Sequence, residues 1–256
     1  MGQIDGWEIN CDMGEGFGRW KMGPDEELMK HVDVANVACG FHAGDPSTMV
    51  RTVRLAKQHG IRVGAHPGMP DLLGFGRRRM AIAPEDMYAA VLYQVGALSG
   101  ILAAEGMPLN HVKPHGELYF FVQRDAAIRD AVLRAVRTFN VPIYGLPTPQ
   151  MVADCERVGV ELIPEFYTDI DYDSRGALVP VAESVPVSPQ MIRDRILMIA
   201  ITGQARSATG TTVDIPLGMG GFSICIHSDL PGALENAKAA RAAVNEVKKG
   251  IRISIY

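Results

Sequence analysis

Seven short β-branched runs, most of them followed by a longer segment of helical pattern, set the strongest constraint on how this chain folds. The strand candidates are WEINC, VANVACG, IRVGAH, LNHVKP, VPIYGL, VELIPEF and FSICIH. Helical spacing of apolar residues marks 46–60, 84–106, 126–139, 149–159, 188–204 and 231–250, as with Met49, Val53 and Ala56 at i, i+4 and i+7. Several of these segments open on Pro and close on Gly, the usual start and stop signals of a helix. Such alternation builds βα units around a parallel sheet. A chain of 256 residues, 47% of them hydrophobic, can bury one large core. No linker or composition shift divides it, so one domain over 1–256 is expected. Only 209–221, TGTTVDIPLGMGG, reads as a long irregular loop.

Alternate residues of a strand face the same way, and this parity separates polar from apolar faces. Glu8, Asn10 and Asp12 oppose Ile9 and Cys11; Asn36, Ala38, Gly40 and His42 oppose Val37, Cys39 and Phe41. Arg62, Gly64 and His66 oppose Ile61, Val63 and Ala65, while His111, Lys113 and His115 share a face, as do Ile163 and Glu165, and Ser223, Cys225 and His227. Six strands thus have a small or polar face ending in a titratable group. An open sheet covered by apolar helices on both sides would make that costly, whereas a barrel interior gathers such groups at its C-terminal mouth.

Charge and cysteine content exclude several functions. Lys and Arg total 25 against 29 Asp and Glu, with no long basic run, which argues against a nucleic-acid partner. The opening MGQIDGWEINCDMGEG has no basic segment leading into an apolar one, and about 18 consecutive apolar residues occur nowhere, so a cytoplasmic protein without a membrane partner is expected. Cys11, Cys39, Cys155 and Cys225 are scattered without C-x-x-C spacing and read as small buried residues with no chemistry.

Smaller signals qualify the picture. Asp45 before Pro46 suits a helix N-cap, and a helix start beside His42 favours an anionic group. GEGFG, 14–18, permits close backbone approach to a ligand, but no G-x-x-x-x-G-K-[ST] loop occurs. Arg77, Arg78 and Arg79 sit on a glycine-rich loop after the His66 strand, where an arginine fork can clamp a carboxylate or phosphate. Asp12, His42 and His66 offer an Asp-His-His set for a divalent metal, without local H-x-x-x-H spacing.

NCDMGEGFG, ANVACGFHAGDPSTM, GAHPGMPDLLGFGRR, YQVGAL and HVKPHGELY, in this order, closely resemble the LamB/YcsF family, and the likeness spans nearly the whole chain. The resemblance implies an α/β fold, a seven-stranded parallel β/α barrel like that of glycoside hydrolases and deacetylases. It further implies the A component of an ATP-dependent 5-oxoprolinase, which opens the 5-oxoproline lactam to L-glutamate with partner subunits B and C. The chain departs from the family where E-x-F-A-D-R-x-Y reads EFYTDIDY: Glu165, Asp169 and Tyr172 match, but Ile170 replaces arginine. The late H-G-D is His227, Ser228 and Asp229, and Glu117 follows K-P-H-G.

The expected catalytic groups are Asp12, His42, His66, Lys113, His115 and Glu165. Asp12 or Glu165 would take a water proton, His42 or His115 would donate to the leaving nitrogen, and Lys113 would stabilise oxyanion or phosphoryl charge. Expected substrate contacts are Asn10, Glu15, Asn36, Gly40, Asp45, Arg77, Arg78, Asp169 and His227. ATP is the expected co-substrate, bound by this chain or by a partner. Three rival readings stand beside this one: a hydrolase of a related lactam, a metal-dependent deacetylase-like enzyme, and a non-enzymatic component that binds a small carboxylate.

Overall fold

The structure, a computed structural model, describes residues 6–217 and 221–249. Its strands are β1 (Trp7–Met13), β2 (Val34–Ala38), β3 (Arg62–His66), β4 (Leu109–Val112), β5 (Ile143–Gly145), β6 (Leu162–Tyr167), β7 (Gln204–Arg206), β8 (Thr212–Asp214) and β9 (Phe222–Ile226). Seven of them run parallel and close into a barrel in the order β1-β2-β3-β4-β5-β6-β9, so all seven expected strands are present. The register sets Asp12 beside Asn36, Asn36 beside Gly64 and Asn10 beside Cys225, which brings the polar faces together inside the barrel.

The opposite faces make the apolar layer. Ile9, Cys11, Met13, Val37, Val63, Ala65, Ile224 and Ile226 are all buried, together with residues from the surrounding helices, in one hydrophobic cluster. At roughly 1.5–3 kcal/mol for each large aliphatic side chain removed from water, this layer is the main driving force for closing the barrel. The helices are α1 (Asp25–Leu28), α2 (Pro46–His59), α3 (Pro84–Ala104), α4 (Gly116–Arg124), α5 (Ala126–Arg137), α6 (Pro149–Val158), α7 (Pro189–Thr202) and α8 (Ala233–Lys248). Their ends follow the expected punctuation: Asp45 caps α2 by accepting from the Ser47 and Thr48 N–H groups, and Gly60 ends it in the left-handed conformation. By length and composition α3 is apolar enough to cross a membrane. Here it buries Met87, Val91, Val95, Leu98 and Leu102, and its Gln94 side chain bonds both the N–H and the carbonyl of Gly68.

Three features depart from expectation. The β7 and β8 strands pair antiparallel, where the sequence pattern points to the end of a helix for the first and irregular loop for the second. Each is only three residues long, too short for a readable alternation, and Gly210 makes the turn at φ +85°. Residues 218–220 of that expected loop, and Gly250 at the end of the last expected helix, lie outside the described residues. The second departure is α4, which starts directly after His115 and has no counterpart among the expected helices. The third is the short α1, which has none either.

Candidate active site

The barrel interior is filled from the bottom upward by polar side chains in hydrogen-bonded tiers. Lowest, Glu8 pairs with Arg62 at 2.5 Å and accepts from the Tyr144 hydroxyl. Tyr144 stacks on His111, ring centroids 3.8 Å apart. His111 reaches Asn36 Oδ1 through Nε2 at 2.7 Å, and Asn36 Nδ2 donates to Asn10 Oδ1 and Asp12 Oδ1. Asn10 in turn donates to Glu165 Oε1 and Ser223 Oγ. Gly64 has no side chain for a steric reason: a Cβ there would overlap the His111 ring. A buried polar tier of this kind is tolerable because its members satisfy one another.

Lys113 stands above that tier. Its ammonium donates to Asp12 Oδ1 at 2.8 Å, to Asn10 Oδ1 at 3.2 Å and to Cys225 Sγ at 2.9 Å. Burial works against charge on Lys113, but Asp12, Cys225 and Glu165 outweigh it and raise its pKa well above the ordinary value. Burial likewise opposes ionisation of Asp12, yet His66 and Lys113 hold its carboxyl well below the usual range. The two form a buried ion pair at neutral pH. Glu165, 3.5 Å from Lys113 Nζ, is pushed up by burial and accepts from the Tyr167 hydroxyl.

The mouth carries the histidines. His66 Nδ1 meets the Lys113 carbonyl at 2.7 Å, and His115 Nε2 meets the Phe75 carbonyl at 2.8 Å. Carbonyl oxygens only accept, so both of these ring nitrogens are N–H, and in the neutral rings the opposite nitrogens carry the lone pairs. His42 stacks flat on His115, centroids 3.6 Å apart, and its Nε2 lies 3.2 Å from Glu15 Oε1. Burial drives the pKa of both His42 and His115 well below the ordinary value. His227 goes the other way: burial opposes its charge, but Asp169 overcomes that and raises its pKa, accepting from its Nδ1 at 2.9 Å and its backbone N–H at 2.6 Å.

A cavity of about 330 Å³ opens above these groups, lined among others by Asp12, His66, Lys113, His115, Tyr167 and His227. Its wall also contains Arg77, Glu117 and Ile170. Not every expected site residue reaches it. Asn10, Asn36 and Glu165 are fully buried in the tier beneath, where they hold Asp12 and Lys113 rather than a ligand. Glu15 and His42 lie behind His115, and Asp169 acts through His227.

Four expectations need correction. Arg78 points away from the cavity and pairs with Asp71, because the turn through Phe75 and Gly76, both at positive φ, sends adjacent arginines to different sides. Asp45 is a cap: its carboxylate is used by the Ser47, Thr48 and Gly18 N–H groups and the Thr48 hydroxyl. Gly40 belongs to a turn closed by its N–H on the Ala43 carbonyl, and is not part of the cavity wall. The carboxylate that approaches all three of His42, His66 and His115 is Glu15; Asp12 approaches His66, its Oδ2 3.4 Å from Nε2, while its Oδ1 is committed to Lys113 and Asn36.

Other residues were missed. Cys225, read as inert, touches the Lys113 ammonium, and Tyr167 and Tyr144 complete the interior. Their inward parity was the available signal. Neither a thiol nor a phenol stands out as chemistry without its neighbours.

Fold and site together define the class: a TIM-like α/β barrel, closed with seven strands, whose acid and base groups gather at the C-terminal ends of the strands. The chain belongs to the LamB/YcsF family, which it matches over residues 7–254. It is 46% identical over 241 residues to the lactam utilization protein lamB of Emericella nidulans, covering 94% of this chain and 95% of that one. Identity to the A subunit of the Bacillus subtilis 5-oxoprolinase is 42% over 245 residues, 94% of this chain and 93% of the relative. The crystal structure of a lactam utilization protein from Thermus thermophilus superposes with a TM-score of 0.86 at 40% identity, covering 94% and 97% of the two chains.

Proposed function

We propose that this chain is the lactam-handling component of an ATP-dependent 5-oxoprolinase, opening 5-oxoproline to L-glutamate together with subunits B and C. The observation that carries this reading is the juxtaposition, at one small cavity, of the Asp12–Lys113 ion pair with His115 and with His227, whose Nδ1 is held by Asp169. A cavity of about 330 Å³ lies at the small end of ordinary ligand pockets, roughly 300–1,000 Å³. The relatives named for 5-oxoproline and lactams support the substrate class.

Opening a lactam needs a base for water, a donor for the leaving nitrogen and a cation for oxyanion or phosphoryl charge. Asp12 Oδ2, the oxygen not bonded to Lys113, is the acceptor at the mouth, 3.4 Å from His66 Nε2. Lys113 supplies the fixed positive charge. His227 replaces His42 and His115 as the proton donor, because its Nδ1 is held by Asp169 and its Nε2 lies 3.8 Å from Asp12. ATP would supply the driving force through the amide oxygen, with its site in this chain or a partner.

The test is glutamate release from 5-oxoproline, measured with and without ATP and with and without the B and C proteins. Release that needs ATP and all three proteins supports the reading. Absence of release from the complete, folded mixture would overturn it.

A further inference from the structure

Two ring nitrogens face each other at the barrel mouth, and Asp12 Oδ2 lies 3.4 Å from one of them, His66 Nε2. His66 Nε2 and His115 Nδ1 are 3.0 Å apart, although each ring spends its N–H on a backbone carbonyl, Lys113 O for His66 and Phe75 O for His115. Two acceptors at hydrogen-bond distance repel unless a positive centre lies between them. Glu15 Oε1 adds a third donor, 3.4 Å from His115 Nδ1, 4.0 Å from His66 Nε2 and 3.2 Å from His42 Nε2. All four side chains are buried, and both Glu15 Oε2 and His42 Nδ1 are buried without a hydrogen-bond partner.

We propose that Glu15, His66 and His115, with His42 as a fourth donor, form a binding site for one divalent first-row transition ion. Donors bound to one ion at about 2.0–2.2 Å lie roughly 3–4 Å apart, the range spanned by the four separations above. Three imidazoles and a carboxylate are the donor set of zinc and its neighbours rather than of magnesium or calcium. Backbone carbonyls on the far nitrogens of His66 and His115 match the outer contacts that orient metal-bound histidines. The ring of His42 lies flat on His115, so it must tilt to bind; the other three donors form the core of the site. The second cluster of possible ligands, Asp12, Cys225 and His227, is excluded because Lys113 already occupies Asp12 and Cys225. This inference does not depend on the lactam reading, since it concerns only the donors.

The experiment uses the full chain, stripped with chelator and titrated with Zn²⁺ and with Co²⁺, reading stoichiometry, affinity, thermal midpoint and the visible spectrum of bound Co²⁺. One equivalent per chain, a raised midpoint and a structured Co²⁺ spectrum are expected. Glu15→Gln and His66→Gln should each weaken binding at least ten-fold while Cys225→Ser leaves it within about two-fold. Circular dichroism and cooperative melting check that the variants fold. Absence of stoichiometric binding to the folded wild type overturns the proposal and leaves a proton as the positive centre in the gap. Binding that survives both site variants, or that is lost in Cys225→Ser, overturns it as well.

Discussion

The Lys113 ammonium lies 2.8 Å from Asp12 Oδ1 with both side chains at most 3% exposed, a charge pair sealed inside a barrel. Desolvating two ions costs several kcal/mol each, and the attraction offsets that only while both partners are present. Lys113→Met alone should therefore destabilise by about 3–5 kcal/mol, leaving Asp12 unpaired. The double variant Lys113→Met with Asp12→Asn should recover part of this, so chemical unfolding of the two singles and the double will show a favourable coupling. Asp12→Asn should lower turnover by about 10²- to 10⁴-fold, the usual scale for removing a general base.

His227 is predicted to work as the acid. Its charge is sustained by Asp169, so the protonated form persists to a higher pH than for an ordinary histidine. A general acid is active below its pKa, and activity is lost as pH rises through it. Asp169→Asn should shift the alkaline limb of the pH–kcat profile to lower pH. An unchanged limb would assign the donor role elsewhere.

Arg77 is the residue expected to read a substrate carboxylate, under the lactam proposal. Ile170 stands where the family commonly has arginine, and it is buried at the cavity wall. Arg77 lines the same cavity, while its guanidinium is 2.8 Å from Asp229 and 4.9 Å from the Phe75 ring centroid. A charge-assisted contact contributes roughly 1.5–3 kcal/mol, so Arg77→Ala should raise KM for 5-oxoproline about ten-fold or more. Arg78→Ala should leave KM near normal. Parallel assays with 2-pyrrolidinone, which lacks the carboxylate, should show little effect of Arg77→Ala; equal use of both lactams by the wild type would mean that the carboxylate is not read.

Asp25 should set part of the pH dependence of stability. Burial raises its pKa to about 6, although the Gly14 N–H donates to one oxygen. The folded state then binds more protons than the unfolded one between about pH 4 and 6, so stability falls as pH rises through that window. Two pKa units correspond to about 3 kcal/mol, an upper bound for a partly exposed group. Asp25→Asn should raise the unfolding midpoint at pH 8 and have little effect near pH 4, as differential scanning calorimetry at the two pH values will show.

Much of the architecture was legible because strand parity is local. Glu8, Asn10 and Asp12 alternate with apolar neighbours, and the same holds for 111–115 and 223–227, so much of the polar lining could be read before any contact was known, whereas parity failed beyond Ala38, where β2 ends and Gly40 enters a turn. Helix punctuation at Asp45 and Gly60 was equally local. The β7–β8 hairpin and α4 were not readable, since three-residue strands and a mixed aromatic segment carry no clear period.

The sequence by itself determined which residues face the interior, which segments coil, and the family motifs that name a substrate class, because each depends on neighbours a few positions apart. Only the tertiary structure decided what those residues do. It placed Arg78 on Asp71, set Glu15 among three imidazoles, brought Cys225 to Lys113 and paired His227 with Asp169. Tautomer, charge state and partner choice follow from distance and burial across the barrel, between groups as far apart in the chain as Asp12 and His227, and no periodicity along the chain encodes those separations.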